Sequence, residues 1–197
     1  LIYLCIPLFY NYDKSNIANV ICKDINIKCS IKGNINYTFF PSPRLKLNDI
    51  RVNDFTNKNK ILGKIENIAL KISVYNLLNK SKFQFTKINI KNAKFNFDLQ
   101  KFEKYRNFFN KEFNSKPINL TKGEISFFEG KKYITDIKDV KIKYNSKKKE
   151  DEIVLKGKFL GDNIYINLLN KKKRWRFVKN FCIQNVWFEI IYKNKYF

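Results

Sequence analysis

Along most of this chain apolar and polar residues alternate one by one. A chain patterned that way forms β-strands with one dry face and one wet face. In KIENIALKISVY the apolar positions Ile68, Leu70, Ile72 and Val74 recur at every second residue. Phe83, Phe85, Ile88 and Ile90 follow. Phe95 and Phe97 then return to the same side beyond Asn92-Ala93, which reads as a tight hairpin turn. From Pro117 onward the pattern predicts strands near 118–121, 124–129, 132–144, 152–160, 163–169 and 181–192. Turns are expected at Lys122-Gly123, Glu129-Gly130 and Gly161-Asp162. INIKNAKFNF (Ile88 to Phe97) and INLTKGEISFF (Ile118 to Phe128) also echo one another, each reading as strand, short polar turn, strand.

Helical signals are few. Asp13 or Ser15 can cap a helix whose apolar face is Ile17, Val20 and Ile21 and which ends near Cys22. The period then changes to two through Ile25, Ile27, Cys29 and Ile31 as far as Gly33. A short helical turn is expected near Leu77. A longer helix is expected over about 99–113, with Leu99, Phe102, Phe109 and Phe113 on one side. These elements define a mainly β, β-rich α+β fold: a long, twisted antiparallel sheet with short helices near the N-terminus and in mid-chain. So little helix leaves the apolar face short of cover, so the sheet either rolls onto itself or lines a groove with that face.

In FFPSPRLKLNDIRVND, Pro41 and Pro43 fix φ and donate no ladder hydrogen bond, so they turn the chain ahead of the strand that starts at Leu45. Arg44, Lys46 and Arg51 of that strand face water. The corner itself reads as structural.

The formal charge is +23, but only five of the 40 basic residues are Arg. The abundance of Lys, Asn, Ile, Phe and Tyr is what AT-rich codons produce. The cations are also spread along the whole chain, while most of the aromatics fall on the buried face. We therefore expect no nucleic-acid partner; attraction to anionic lipid headgroups is the next reading. No His is present, and neither a Ser-centred elbow nor a Gly-rich phosphate loop occurs. Carboxylate pairs such as Asp49 with Asp54, or the cluster at Glu150 to Glu152, read as solvated turns. No enzyme, catalytic residue, metal or cofactor is expected. Cys22 and Cys29 lie seven apart without a metal-binding pattern. They admit a disulfide in an oxidising compartment or separate core thiols, and the reading taken is separate thiols.

The aromatic-Pro-x-Pro corner, the alternating strand after it and the segment Gly63 to Phe97 resemble, in order and spacing, the N-terminal region of the AsmA family. The later segments INLTKGEISFFEGKKYITDIKDVKIKYN and IVLKGKFLGDNIYINL look like further hairpins of that family, so the resemblance spans most of residues 13–170. It implies a protein held in the bacterial inner membrane by a single N-terminal helix, with a periplasmic body curled into a hydrophobic groove. It also implies bridge-like phospholipid transport between inner and outer membranes in outer-membrane biogenesis. Partners would be phospholipid, the inner membrane and outer-membrane or envelope proteins.

On this reading residues 1–10, LIYLCIPLFY, are the end of a truncated membrane anchor, since about 20 apolar residues are needed to span a bilayer. Residues 11–197 are then the groove domain of a longer body. The groove-lining candidates are the bulky members of the apolar face: Leu45, Leu47, Ile68, Leu70, Ile72, Phe85, Ile88, Ile90, Phe95, Phe97, Ile125, Phe127, Ile142, Leu155 and Phe159. Alternation alone does not separate a trough from a dry core. A non-catalytic structural or adaptor module for outer-membrane protein assembly is the alternative function.

Overall fold

A computed structural model describes residues 2–23, 27–54, 60–77, 85–109, 116–146, 150–171, 174–183 and 186–191 of the chain. Ile25, Phe83 and the 110–113 end of the expected second helix lie outside these residues. Among the described residues the fold is mainly β, one large curled but unclosed sheet with three short helices, as the alternation requires.

The strands are β1 (Cys29–Ile31), β2 (Ile35–Thr38), β3 (Arg44–Asn53), β4 (Ile61–Ile72), β5 (Phe85–Asp98) and β6 (Ile118–Glu129). After them come β7 (Lys132–Ser146), β8 (Glu150–Phe159), β9 (Asp162–Lys171), β10 (Arg174–Ile183) and β11 (Val186–Ile191). From β3 to β11 they lie side by side in chain order. β1 and β2 share the free edge of β3, each covering half its length.

The sheet is antiparallel, as expected, at every described strand pair except one. β5 and β6 pair in parallel, because the chain between them crosses back over the sheet through a 3-10 turn (Leu99–Lys101) and the helix α3 (Phe102–Phe109). Parallel neighbours require such a crossover. Asp98 caps its start by accepting from the Gln100 N–H at 3.2 Å.

Two expected turns are also absent. β5 runs unbroken through Asn92-Ala93, and β6 runs unbroken through Lys122-Gly123. A short polar step, Lys91-Asn92 in one and Thr121-Lys122 in the other, suggested a turn at each place. In fact Asn92 and Lys122 each take a left-handed backbone, both with φ 56°, and the strand continues. The turns expected at Glu129-Gly130 and Gly161-Asp162 are present, each displaced by one residue, at Gly130-Lys131 and Leu160-Gly161, with φ +62° at Gly130 and +91° at Gly161.

The Pro-x-Pro corner joins β2 to β3 as an antiparallel pair, Thr38 opposite Arg44. Pro43 has no N–H to donate, but its carbonyl accepts from Ile72 N at 2.9 Å. Arg44 braces the corner by donating Nε–H to the Ser42 carbonyl at 3.0 Å.

The helix α2 (Lys14–Lys23) starts at Asp13, whose carboxylate accepts from the Ser15 N–H at 2.9 Å. Its Ile17 and Ala18 join the core. The reading of Cys22 and Cys29 as separate thiols is corrected: they form a disulfide, with Cα atoms 6.2 Å apart. The chain reverses after α2 into β1, which brings the two residues face to face.

Residues 2–9 form one helical turn, α1 (Ile2–Cys5), and a 3-10 turn (Ile6–Phe9). Both are tied to the body by tyrosines. Tyr37 donates its hydroxyl to the Leu4 carbonyl at 2.9 Å, and Tyr12 donates to the Pro7 carbonyl at 2.7 Å. Burial pushes the pKa of both phenols up, which keeps them protonated donors. Among the described residues no helix is long and apolar enough to cross a membrane.

Candidate functional site

Cross-strand register gathers the apolar residues of successive strands into rows. One row runs Leu45, Leu70, Ile88, Ile118, Tyr144, Ile153 and Leu168. The next runs Leu47, Ile68, Ile90, Leu120, Ile142, Leu155 and Ile166. Beyond a row of small residues comes Gly63, Phe95, Ile125, Ile137 and Phe159. One face of the sheet is therefore apolar from β3 to β9. On the other face, Lys, Arg, Asn and Glu occupy the same registers, as in Arg51, Lys64, Lys94 and Glu124. There Lys94 and Glu124 form an ion pair at 2.9 Å.

A crease crosses this sheet between the second and third apolar rows. Asp49, Asn92, Lys122 and Asp139 all have φ between 48° and 56°, on β3, β5, β6 and β7. The flanking pairs are in register on both sides: Asn48–Asn67 and Ile50–Ile65, Lys91–Thr121 and Ala93–Gly123. At β7 the ladder with β8 slips between Lys138 and Lys141, so that β7 carries extra residues opposite Gly157. Such irregularities bend a sheet and increase its twist. Asn and Asp tolerate the left-handed backbone better than other L-residues.

On the apolar face the crease is lined by small side chains, Ala93, Gly123, Val140 and Gly157. A methyl group at Gly123 would lie 2.5 Å from Leu120 Cδ2 and 3.1 Å from Val140 Cβ. One at Gly157 would lie 2.8 Å from Ile137 Cγ2. The apolar face is therefore crowded at the crease.

The fifteen candidate residues share this face but divide by cover. Leu45, Leu47, Ile68, Leu70, Ile72 and Phe85 are buried in one cluster with Ile17 and Ala18 of α2, Leu77 and Tyr105. Ile88, Ile90, Phe95, Phe97, Ile125, Phe127, Ile142, Leu155 and Phe159 are only partly buried, most of them at the margin of that cluster. The first two long strands are capped by the N-terminal helices; the apolar face from β5 onward is only partly covered. Phe95 lies on continuous β5, not on the return arm of a hairpin. Its ring rests over Gly63 of β4, where a Cβ would overlap it.

At the far end of these strands Asp54, buried, pairs with Lys101 at 3.0 Å. A cavity of about 320 Å³ opens there, walled by Phe97, Phe128, Ile61 and Tyr105 together with this pair. Phe97 packs edge-on to Tyr105 and stacks on Phe127, with centroids 5.2 and 6.3 Å away. Burial alone would push the Lys101 ammonium down. The hydrogen bond to Asp54 and that carboxylate's charge outweigh it, and the pKa is raised. The pair closes the end of the apolar face with a neutral couple and offers no activated nucleophile. No group of three or more metal-ligating side chains occurs among the described residues.

Sequence reasoning placed the apolar face but missed the crease. Its signal was present as a skipped beat. Apolar positions fall two apart within each strand but three apart at Leu47–Ile50, Ile65–Ile68, Ile90–Ala93 and Ile137–Val140.

These features define a class: an open, creased β-sheet with a basic outer face and an apolar inner face that its own helices cover only at one end. A model of the AsmA family matches residues 2–104, just over half of the chain, and the protein belongs to that family. No curated protein sequence matches the chain.

Proposed function

We propose that the partly covered apolar face from β5 onward is a trough for the acyl chains of phospholipid, one section of a conduit between the inner and outer membranes of a bacterial envelope. The observation that carries this reading is the change in cover along one continuous face. Leu47 and Ile68 are sealed, while their row-mates Ile90, Ile142 and Leu155 are partly exposed, with Leu120 between them buried. Carrying an acyl chain through water exposes about 15 methylenes at about 0.8 kcal/mol each, on the order of 12 kcal/mol. A continuous apolar trough removes most of that penalty at every step and needs no reactive residue.

Family membership supports the envelope setting. The Cys22–Cys29 disulfide is at home in an oxidising compartment such as the periplasm. In this reading residues 1–10 lead from a membrane anchor into the body, and the trough starts at β5, next to the section the helices close. The test is native mass spectrometry of protein purified without detergent. Bound phospholipid is expected. Protein that is folded but consistently lipid-free would favour an adaptor without cargo.

A further inference from the structure

The rim of the sheet that holds the Pro-x-Pro corner combines exposed rings with one sign of charge. Three contacts assemble it. Tyr3 donates its hydroxyl to the Val74 carbonyl at 2.7 Å, Tyr10 donates to the Leu77 carbonyl at 3.0 Å, and Ile72 N–H reaches Pro43. The N-terminal helical turns, the corner and the 3-10 turn Val74–Asn76 therefore meet at one place. There Tyr75 is 93% exposed, Phe9 86% and Phe40 81%, beside exposed Ile2 and Leu8. Isolated exposed apolar residues need no explanation, but large ones gathered on mutually bonded segments mark a contact surface.

Charge is sorted along the same axis. Between this rim and the crease, residues 35–48, 67–77, 85–91, 116–122 and 140–146 contain no carboxylate. They carry Arg44, Lys46, Lys71, Lys87, Lys141 and Lys143. The carboxylates of these strands stand at the crease or beyond it, as Asp54, Asp98, Glu124, Glu129 and Asp136 do; the next at this rim come only at Glu150 to Glu152 of β8. Cross-strand pairing sets Arg44 beside Lys71 and Lys71 beside Lys87, a row of like charge that wants an anionic partner.

We infer that this rim docks on the surface of an anionic bilayer, its rings entering the headgroup layer and its cations pairing with lipid phosphates. Aromatic side chains favour that depth, and basic residues near it are drawn by the surface potential. A nucleic acid would satisfy the cations but gives no reason for two phenylalanines, a tyrosine and two aliphatic residues to stand out from a proline corner and neighbouring helical turns. The inference concerns the rim alone and does not require that the trough carry lipid.

The test is flotation of the full chain with vesicles of phosphatidylcholine, with and without phosphatidylglycerol. Binding is expected only to the anionic vesicles. The triple variant Phe9→Ser, Phe40→Ser, Tyr75→Ser, with an unchanged thermal melt, should weaken it by roughly tenfold or more. Lys71→Glu with Lys87→Glu should weaken it similarly, whereas Lys64→Glu with Lys132→Glu, the same charge change beyond the crease, should not. Absence of binding, triple-variant binding equal to the parent's, or equal loss from the two charge-reversal pairs would each overturn the inference. So would duplex DNA binding that is tighter than vesicle binding and indifferent to the triple variant.

Discussion

Asn92 and Lys122 lie opposite one another in the parallel β5–β6 joint, both with φ 56°, between the paired residues Lys91–Thr121 and Ala93–Gly123. The two strands therefore bend at one register, and the echo between INIKNAKFNF and INLTKGEISF is an echo of that bend. Each segment leaves the alternation for one residue, in the left-handed region, and rejoins it with its apolar side still facing the same way. A residue without that conformation would throw every later side chain to the other face.

Lys122 has neither the flexibility of glycine nor the side-chain hydrogen bonding that helps Asn and Asp in this region. Lys122→Gly should raise the unfolding free energy by about 0.5–1 kcal/mol, and Lys122→Val should lower it by at least about 1 kcal/mol. Urea titrations of the three proteins check both signs together. If valine were tolerated as well as glycine, the backbone at 122 would not be the constraint described.

Gly123 and Gly157 fill the inner side of the crease, where a Cβ meets Leu120 or Ile137 within 2.8 Å. Gly123→Val should destabilise by about 1–3 kcal/mol, because neither Leu120 nor Val140 has room to withdraw. Gly161→Ala should cost less through contact, since nothing stands within 4 Å of the added methyl. Its cost comes from the left-handed backbone alone. Denaturant midpoints for the two variants separate crowding from conformation.

The Asp54–Lys101 pair gives a pH dependence whose sign is set by the lysine. Its folded-state pKa is raised above the unfolded value, so its stabilisation is complete below about pH 10.4 and is lost as pH rises through the folded value. A double-mutant cycle with Asp54→Asn and Lys101→Met should show coupling of about 1 kcal/mol near neutrality. The coupling should fade once Lys101 deprotonates. Coupling that persisted undiminished in strong alkali would place the interaction elsewhere.

Reduction of Cys22–Cys29 should lower stability by about 2 kcal/mol, a modest effect because the loop it closes is short. Two thiols fewer should be titratable before reduction than after it. Thiol counts in denaturant, with and without reductant, together with melting curves, test this; equal counts would remove the disulfide.

How much of this was legible in the sequence depends on the kind of interaction. The strand β4, the hairpin at Glu129-Gly130 and the helix capped by Asp13 are local, and period, turn chemistry and capping find them. The parallel joint was not legible, because nothing in Ile118 to Phe128 states which neighbour it will pair. The crease was half legible: the skipped beat at Ile90–Ala93 was visible, but two adjacent polar residues fit a hairpin as well as a bend within one strand. The division of the apolar face into sealed and open parts was not legible at all. Leu47 and Leu155 obey the same alternation, and only the packing of α2 over one end distinguishes them. The disulfide depended on a chain reversal that seven residues of spacing leave open.

The central claim is that the inner face from β5 onward meets acyl chains while the outer face meets water, and adjacent residues of β7 test it most directly. Ile142 is partly buried on the inner face, and Lys143 is exposed on the outer. A photoactivatable phenylalanine analogue placed at each position in turn, in cells, reports which side touches lipid. The account predicts phospholipid adducts at Ile142 and none above background at Lys143. Adducts at both positions equally, or at neither while the protein remains folded and in place, would contradict it.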